Sequence, residues 1–146
     1  MAPPAAAWRL LLAVSVLWAS LALAKDGPDM TVNTFDHPPL YLSYFEDSDA
    51  VVFQDVEEGN VYRSKDAGAK WERVSAVPEG KSLFLIMHQF DPKTAFILTA
   101  SETHFKTEDR GETWTKFQTG VLPSKFQPET LVFHADDPNR IIFNAM

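Results

Sequence analysis

Two eight-residue stretches of the chain carry the same pattern. Ser64-Lys65-Asp66-Ala67-Gly68-Ala69-Lys70-Trp71 and Thr107-Glu108-Asp109-Arg110-Gly111-Glu112-Thr113-Trp114 both read Ser/Thr-X-Asp-X-Gly-X-X-Trp and begin 43 residues apart. The residues before them, Val61-Tyr62-Arg63 and His104-Phe105-Lys106, correspond at the same shift. A second pair, His88-Gln89-Phe90-Asp91-Pro92 and His134-Ala135-Asp136-Asp137-Pro138, lies 46 residues apart, ahead of the apolar runs Phe96-Ile97-Leu98 and Ile141-Ile142-Phe143. Phe45-Glu46-Asp47-Ser48-Asp49 before Val51-Val52-Phe53 is a weaker first copy. The difference between the two spacings falls in the loop holding Pro123 and Pro128. A unit repeated at this interval stacks on its neighbours and does not bury its own apolar face alone.

Each unit is made of short apolar runs. Strands are expected at 40–45, 51–56, 61–64, 71–74, 83–88, 95–100, 103–107, 114–117, 130–134 and 140–144, with Gly, Pro, Asp, Asn or Ser between them. No stretch beyond residue 40 keeps a 3.6-residue apolar period long enough for a helix. The expected fold is all-β, with four strands per unit, which is the arithmetic of a propeller blade. Residues 40–146 then form part of a β-propeller, with blades at about 40–74 and 83–117 and the start of a third at 130–146. Residues 25–39 form an extended lead-in through Pro38-Pro39.

Residues 1–24 have a different character. One cation, Arg9, precedes an apolar run from Leu10 to Leu23 that closes on Ala22-Leu23-Ala24. That is the order of a secretory signal peptide, a helical leader. An uncleaved anchor is the competing reading, but the run is shorter than the roughly 20 apolar residues that cross a bilayer. The expected location is therefore the lumen of the secretory pathway or the exterior.

Composition narrows the functions. The 146 residues hold 13 basic and 20 acidic side chains, a formal charge of −7, and no cysteine. An acidic chain lacks the clustered cations that displace counterions from phosphate, so no nucleic-acid partner is expected. Without cysteine there is no disulfide scaffold and no zinc finger.

The repeated pattern is the Asp box (BNR-like), and its residue types suit a tight turn between antiparallel strands. Asp66 and Asp109 can accept from amides the turn leaves unpaired, with the Ser64 and Thr107 hydroxyls in the same network. Gly68 and Gly111 permit positive φ. Trp71 and Trp114 open the outgoing strand and cover the turn. Boxes of this kind occur in sialidases and other glycosidases, so a secreted glycoside hydrolase of sialidase or xyloglucanase type is one reading. The other is that a residue recurring in successive blades serves the blade, because scaffold positions must repeat and a single site need not. The repeat favours the second. The same logic makes His88 and His134 strand-end hydrogen-bonders, not bases or metal ligands.

Other clusters are weaker. Glu57-Glu58-Gly59-Asn60 reads as an acidic hairpin turn, not an acid/base pair. Glu46, Asp47 and Asp49 lack the spacing of a calcium loop. Tyr41, Tyr44 and Phe45 beside His37-Pro38-Pro39 read as an innermost strand, with a sticky surface as the alternative. No nucleophile elbow, phosphate loop, paired-histidine zinc motif or Asn-X-Ser/Thr sequon occurs. No catalytic residue, metal or cofactor is expected, and ligand-binding residues are not marked.

The run Asn33-Thr34-Phe35-Asp36-His37-Pro38-Pro39, then Tyr44-Phe45-Glu46-Asp47, then Gly59-Asn60-Val61-Tyr62-Arg63-Ser64-Lys65-Asp66-Ala67-Gly68, resembles the start of the sortilin-type vacuolar protein-sorting receptors, closest to the fungal carboxypeptidase Y branch. The resemblance extends from about residue 31 to the end. It implies a ten-bladed lumenal propeller, a cysteine-rich module, one transmembrane helix and a cytosolic tail. It also implies binding of soluble vacuolar hydrolase precursors, largely in the central tunnel, in the late Golgi, with cycling to a prevacuolar endosome. At roughly 45 residues per blade, ten blades need about 450 residues. The chain is thus expected to be an amino-terminal fragment or truncated gene product, its membrane contact made only through a transmembrane segment absent from it.

Overall fold

The computed structural model describes residues 27–28, 30–127 and 129–146. The leader expected at 1–24 lies outside the described residues, as does Pro128. Among the described residues there is no helix, and ten strands fall into three antiparallel sheets.

The first sheet is a meander in chain order: β1 (Leu42–Tyr44), β2 (Val51–Asp55), β3 (Asn60–Ser64) and β4 (Glu72–Arg73). The second repeats it with β5 (Ser82–Met87), β6 (Ala95–Thr99), β7 (Thr103–Thr107) and β8 (Thr115–Gln118). The third is the pair β9 (Leu131–Phe133) and β10 (Ile141–Phe143). Beyond β10, Ala145 bridges to Pro123, flanked by bonds from the Ser124 amide to the Asn144 carbonyl and from the Met146 amide to the Leu122 carbonyl.

An equivalent backbone bond closes the first hairpin of each sheet, over a loop one residue shorter in the first sheet. The Phe45 amide bonds to the Ala50 carbonyl at 3.0 Å, His88 to Thr94 at 3.0 Å, and His134 to Arg140 at 3.1 Å. That bond ends β1 at Tyr44, so the strand expected at 40–45 is shorter, and those at 130–134 and 140–144 contract to Leu131–Phe133 and Ile141–Phe143 for lack of further ladder pairs. The strand expected at 71–74 contracts to Glu72–Arg73, and the one expected at 114–117 shifts by one residue to Thr115–Gln118. Trp71 and Trp114 precede their strands and do not begin them, because each indole lies back over its own glycine.

The core sits between sheets. Opposite each other in the ladders are Val51 and Ser64, and Ala95 and Thr107, so Val52 corresponds to Phe96 and Phe53 to Ile97. Period-2 alternation then sends each residue type to a fixed neighbour. Val52 packs with Phe45, Ala50 and Ala95 between the first two blades. Ile97 and Phe105 point back to Val61, Val74 and Val77 of the first blade. Phe96 and Leu98 point forward to Leu131, Phe133 and Ile141 of the third. All five residues of β6 are consequently buried, which is why Ala-Phe-Ile-Leu-Thr is a continuous apolar run where a half-exposed strand would alternate.

Candidate functional site

Both boxes fold alike. At the end of β3 the Ser64 hydroxyl donates to Asp66 Oδ1 at 2.8 Å and accepts from the Gly68 amide at 2.8 Å, while the Lys70 amide donates to Asp66 Oδ1 at 2.8 Å. At the end of β7 the Thr107 hydroxyl donates to Asp109 Oδ1 at 2.7 Å and accepts from the Gly111 amide at 2.8 Å, and the Thr113 amide donates to Asp109 Oδ1 at 2.8 Å. The chain passes through two successive positive-φ residues in each, Ala67 (54°) with Gly68 (92°) and Arg110 (60°) with Gly111 (79°). A β-carbon on Gly68 or Gly111 would stand at an ordinary 3.5 Å from the Trp71 or Trp114 ring, so the positive φ, not the indole, calls for glycine at each position. The Ala67 and Arg110 amides also tie each box to the first hairpin of its own blade, at the Asp49 and Lys93 carbonyls (2.9 and 3.0 Å).

The carboxylates are held ionised. The Lys70 amide and Ser64 hydroxyl keep Asp66 below the usual carboxylate range. Burial pushes Asp109 upward, but the Thr113 hydroxyl and amide and the Thr107 hydroxyl outweigh it and hold Asp109 low as well. A carboxylate so supplied with donors braces a turn and is a poor general acid. The boxes differ in two contacts: the Thr113 hydroxyl adds a bond to Asp109 Oδ2 that Lys70 does not match, and Trp114 Nε1 donates to the Gly111 carbonyl at 3.0 Å, whereas the matching Gly68 carbonyl accepts from Asn33 Nδ2 at 2.6 Å.

His88 and His134 sit at equivalent hairpin ends. His88 Nδ1 accepts from the Phe90 amide at 3.0 Å, and His134 Nδ1 accepts from the Asp136 and Asp137 amides at 3.2 Å. With Nδ1 an acceptor, His88 Nε2 carries the proton and donates to the Pro138 carbonyl of the third blade at 3.1 Å. Its ring also lies 4.2 Å from that of Phe133.

Residues with no sequence motif join the blades. Gln54 donates from Nε2 to the Ser82 carbonyl (3.2 Å) and accepts at Oε1 from the Leu85 amide (3.1 Å), spanning the bulge of β5. Arg63 Nε donates to the Arg110 carbonyl at 3.0 Å. The Ser82 amide bonds to the Gly59 carbonyl at 2.9 Å, and the Gly80 amide to Asn60 Oδ1 at 3.0 Å. The only sequence signal for these residues is polarity inside otherwise apolar strands.

The acidic residues do not assemble a calcium site among the described residues: Glu46, Asp47 and Asp49 are exposed around the first hairpin. Glu57 and Glu58 lie on the β2–β3 turn, their amides capped by Asp55 Oδ1, both at 3.0 Å. His37, Asp55 and Glu58 have nitrogen or oxygen atoms within 4.8 Å of one another. Asp55 is already committed to those amides and to His37, and Glu58 to Asn60, so the group is a hydrogen-bonded clasp. Leu40, Tyr41, Leu42 and Tyr44, by contrast, form an exposed row on and before β1.

Repeated four-stranded meanders, each braced by an Asp box between its third and fourth strands, define a β-propeller segment. The family model described as Sortilin, neurotensin receptor 3 matches residues 59–146, and the chain belongs to this sortilin/Vps10 family. It is 53% identical over 142 residues to a protein of Fusarium vanettenii named vacuolar protein sorting/targeting protein 10, covering 97% of this chain and 9% of that protein. A protein of the same name from Verticillium alfalfae is 51% identical over 143 residues, with 97% and 10% covered. One from Laccaria bicolor is 39% identical over 127 residues, with 87% and 8% covered. The chain thus spans about a tenth of the length of the curated relatives it matches. These names describe vacuolar sorting and a neurotensin receptor, and none of them describes a glycoside hydrolase.

Proposed function

We propose that the chain supplies the first two blades, and the opening of a third, of the lumenal propeller of a receptor that sorts soluble vacuolar hydrolase precursors. In this reading residues 1–24 are a leader, 25–39 a lead-in and 40–146 the propeller segment, and the receptor cycles between the late Golgi and a prevacuolar endosome. Ser64, Asp66, Gly68, Trp71, Thr107, Asp109, Gly111 and Trp114 are scaffold, and cargo meets other surfaces.

The observation that carries the reading is family membership along nearly the whole chain, at 50% identity or more to proteins named for vacuolar sorting. Geometry supports the division of labour: the box carboxylates are saturated with internal donors, while the β1 row from Leu40 to Tyr44 presents apolar and aromatic surface. Exposed contiguous apolar surface suits a protein ligand. The test is retention of a carboxypeptidase Y-type precursor by the full-length receptor. Retention that falls with Tyr41→Ala plus Tyr44→Ala but not with Asp66→Asn supports the reading; no retention above background contradicts it.

A further inference from the structure

The lead-in does more than connect. In the second blade, Ile97, Phe105 and Trp114 face the blade before it, and their counterparts by ladder register in the first blade are Phe53, Tyr62 and Trp71. That first-blade face meets the lead-in, as Ile97 and Phe105 meet Val77 of the segment ahead of β5. The Phe35 ring stands edge-on to Phe53 at 4.9 Å and to Trp71 at 5.8 Å, beside a cleft of about 330 Å³. Two residues before it, Asn33 takes the Gly68 carbonyl of the first box. Two residues after it, the His37 ring bridges two carboxylates, with Nδ1 3.1 Å from Asp55 Oδ2 and Nε2 3.2 Å from Glu57 Oε2.

The last contact depends on charge. A neutral imidazole has one N–H and one bare lone pair, so one of its two carboxylates would face a lone pair. Only the imidazolium donates to both. We infer that Asn33–His37 is a strap across the Phe53–Trp71 face of the first blade, fastened when His37 is protonated between Asp55 and Glu57 and loosened when it is neutral.

The surroundings act in the same direction. The charged groups facing His37 are Asp55, Glu57 and Glu58, all on β2 and the β2–β3 turn. The Asp55 hydrogen bond and the coulombic pull of the three carboxylates raise the His37 pKa against a smaller opposing effect of burial. Asp55 itself is held low: burial pushes it up, and the Glu58 amide and His37 more than offset this. The strap is therefore tightest while Asp55 is ionised and His37 charged. The contribution of His37 is fully present below its ordinary value of 6.5 and is lost as pH rises through its raised value in the seated strap.

Hydroxyl-radical footprinting of the full chain at pH 5.5 and pH 8.0, normalised to radical dose, tests this without any cargo by reading the side chains that make the contact. Phe35 and Trp71 should be labelled more at pH 8.0 than at pH 5.5, while buried Phe96 stays unchanged. His37→Gln should remove the pH dependence, and Phe35→Ala should leave Trp71 accessible at both values. Equal labelling of Phe35 at both values, a change that follows Phe96, or a His37→Gln chain that keeps the pH dependence would overturn the inference.

Discussion

Arg63, in the third strand of the first blade, donates from Nε to the carbonyl of Arg110 at 3.0 Å, and Arg110 is the left-handed residue of the second blade's box. The stem of Arg63 also roofs Gly111, where a β-carbon would come within 3.2 Å of Arg63 Cδ. One side chain therefore clamps the left-handed box turn of the next blade. Arg63→Ala should cost about 1–3 kcal/mol, since it removes a charge-assisted hydrogen bond together with stem packing. Arg63→Lys should not recover it, because an ammonium lacks the Nε–H of the fork. Chemical denaturation of the three proteins side by side checks this.

Asp109 holds the same turn from within. Asp109→Ala strands the Thr113 amide and the Thr107 hydroxyl, an expected loss of about 1–3 kcal/mol. Asp66→Ala should shift stability in the same direction. Because both carboxyls titrate below their unfolded value of 3.8, their contribution is present above that pH and lost as pH falls through the folded values. Acid titration of the melting temperature should show the fall below about pH 4, shallower in Asp109→Asn.

The turn chemistry and strand order were legible because they are local. A hydroxyl, a carboxylate, a glycine and an indole at fixed offsets specify one turn, and apolar runs mark the strands around it. The joints between blades were not legible. Gln54 and Arg63 look like ordinary outward residues until the stacking brings a bulge or a carbonyl opposite them. His88 could be assigned as a hairpin capper, but its second bond, to Pro138, depends on where the third blade lies. Nothing local to Phe35 and His37 shows that the first reaches Phe53 and Trp71 or that the second lies between Asp55 and Glu57. Aromatic strand preference puts Trp71 and Trp114 at the start of the outgoing strands, whereas packing on the box glycine leaves each one residue ahead of its strand.

Two substitutions at β5 should act in opposite directions. Gln54→Ala deprives the Leu85 amide and Ser82 carbonyl of their partner and should destabilise by about 1–2 kcal/mol. The Ser82 hydroxyl is buried without a hydrogen-bond partner among the described residues, so Ser82→Ala should be neutral or stabilising. Thermal melts of the two variants against the parent decide the pair.

His104 gives a pH signature of its own. It is fully buried, accepts from the Thr99 amide through Nδ1 and reaches Thr119 through Nε2, and burial lowers its pKa. The unfolded chain then takes up a proton near 6.5 that the folded chain refuses, so stability falls as pH drops through that value. His104→Asn should flatten this dependence in urea midpoints measured between pH 5.5 and 8.

The central claim is that the two boxes are one architectural turn in successive blades. An experimental density map of the full-length protein tests it most directly. The account predicts that Ser64–Trp71 and Thr107–Trp114 superimpose, with the Gly68 and Gly111 amides on the Ser64 and Thr107 hydroxyls and Gln54 seated in β5. Two boxes in different backbone conformations, or two sheets that do not stack, would contradict it.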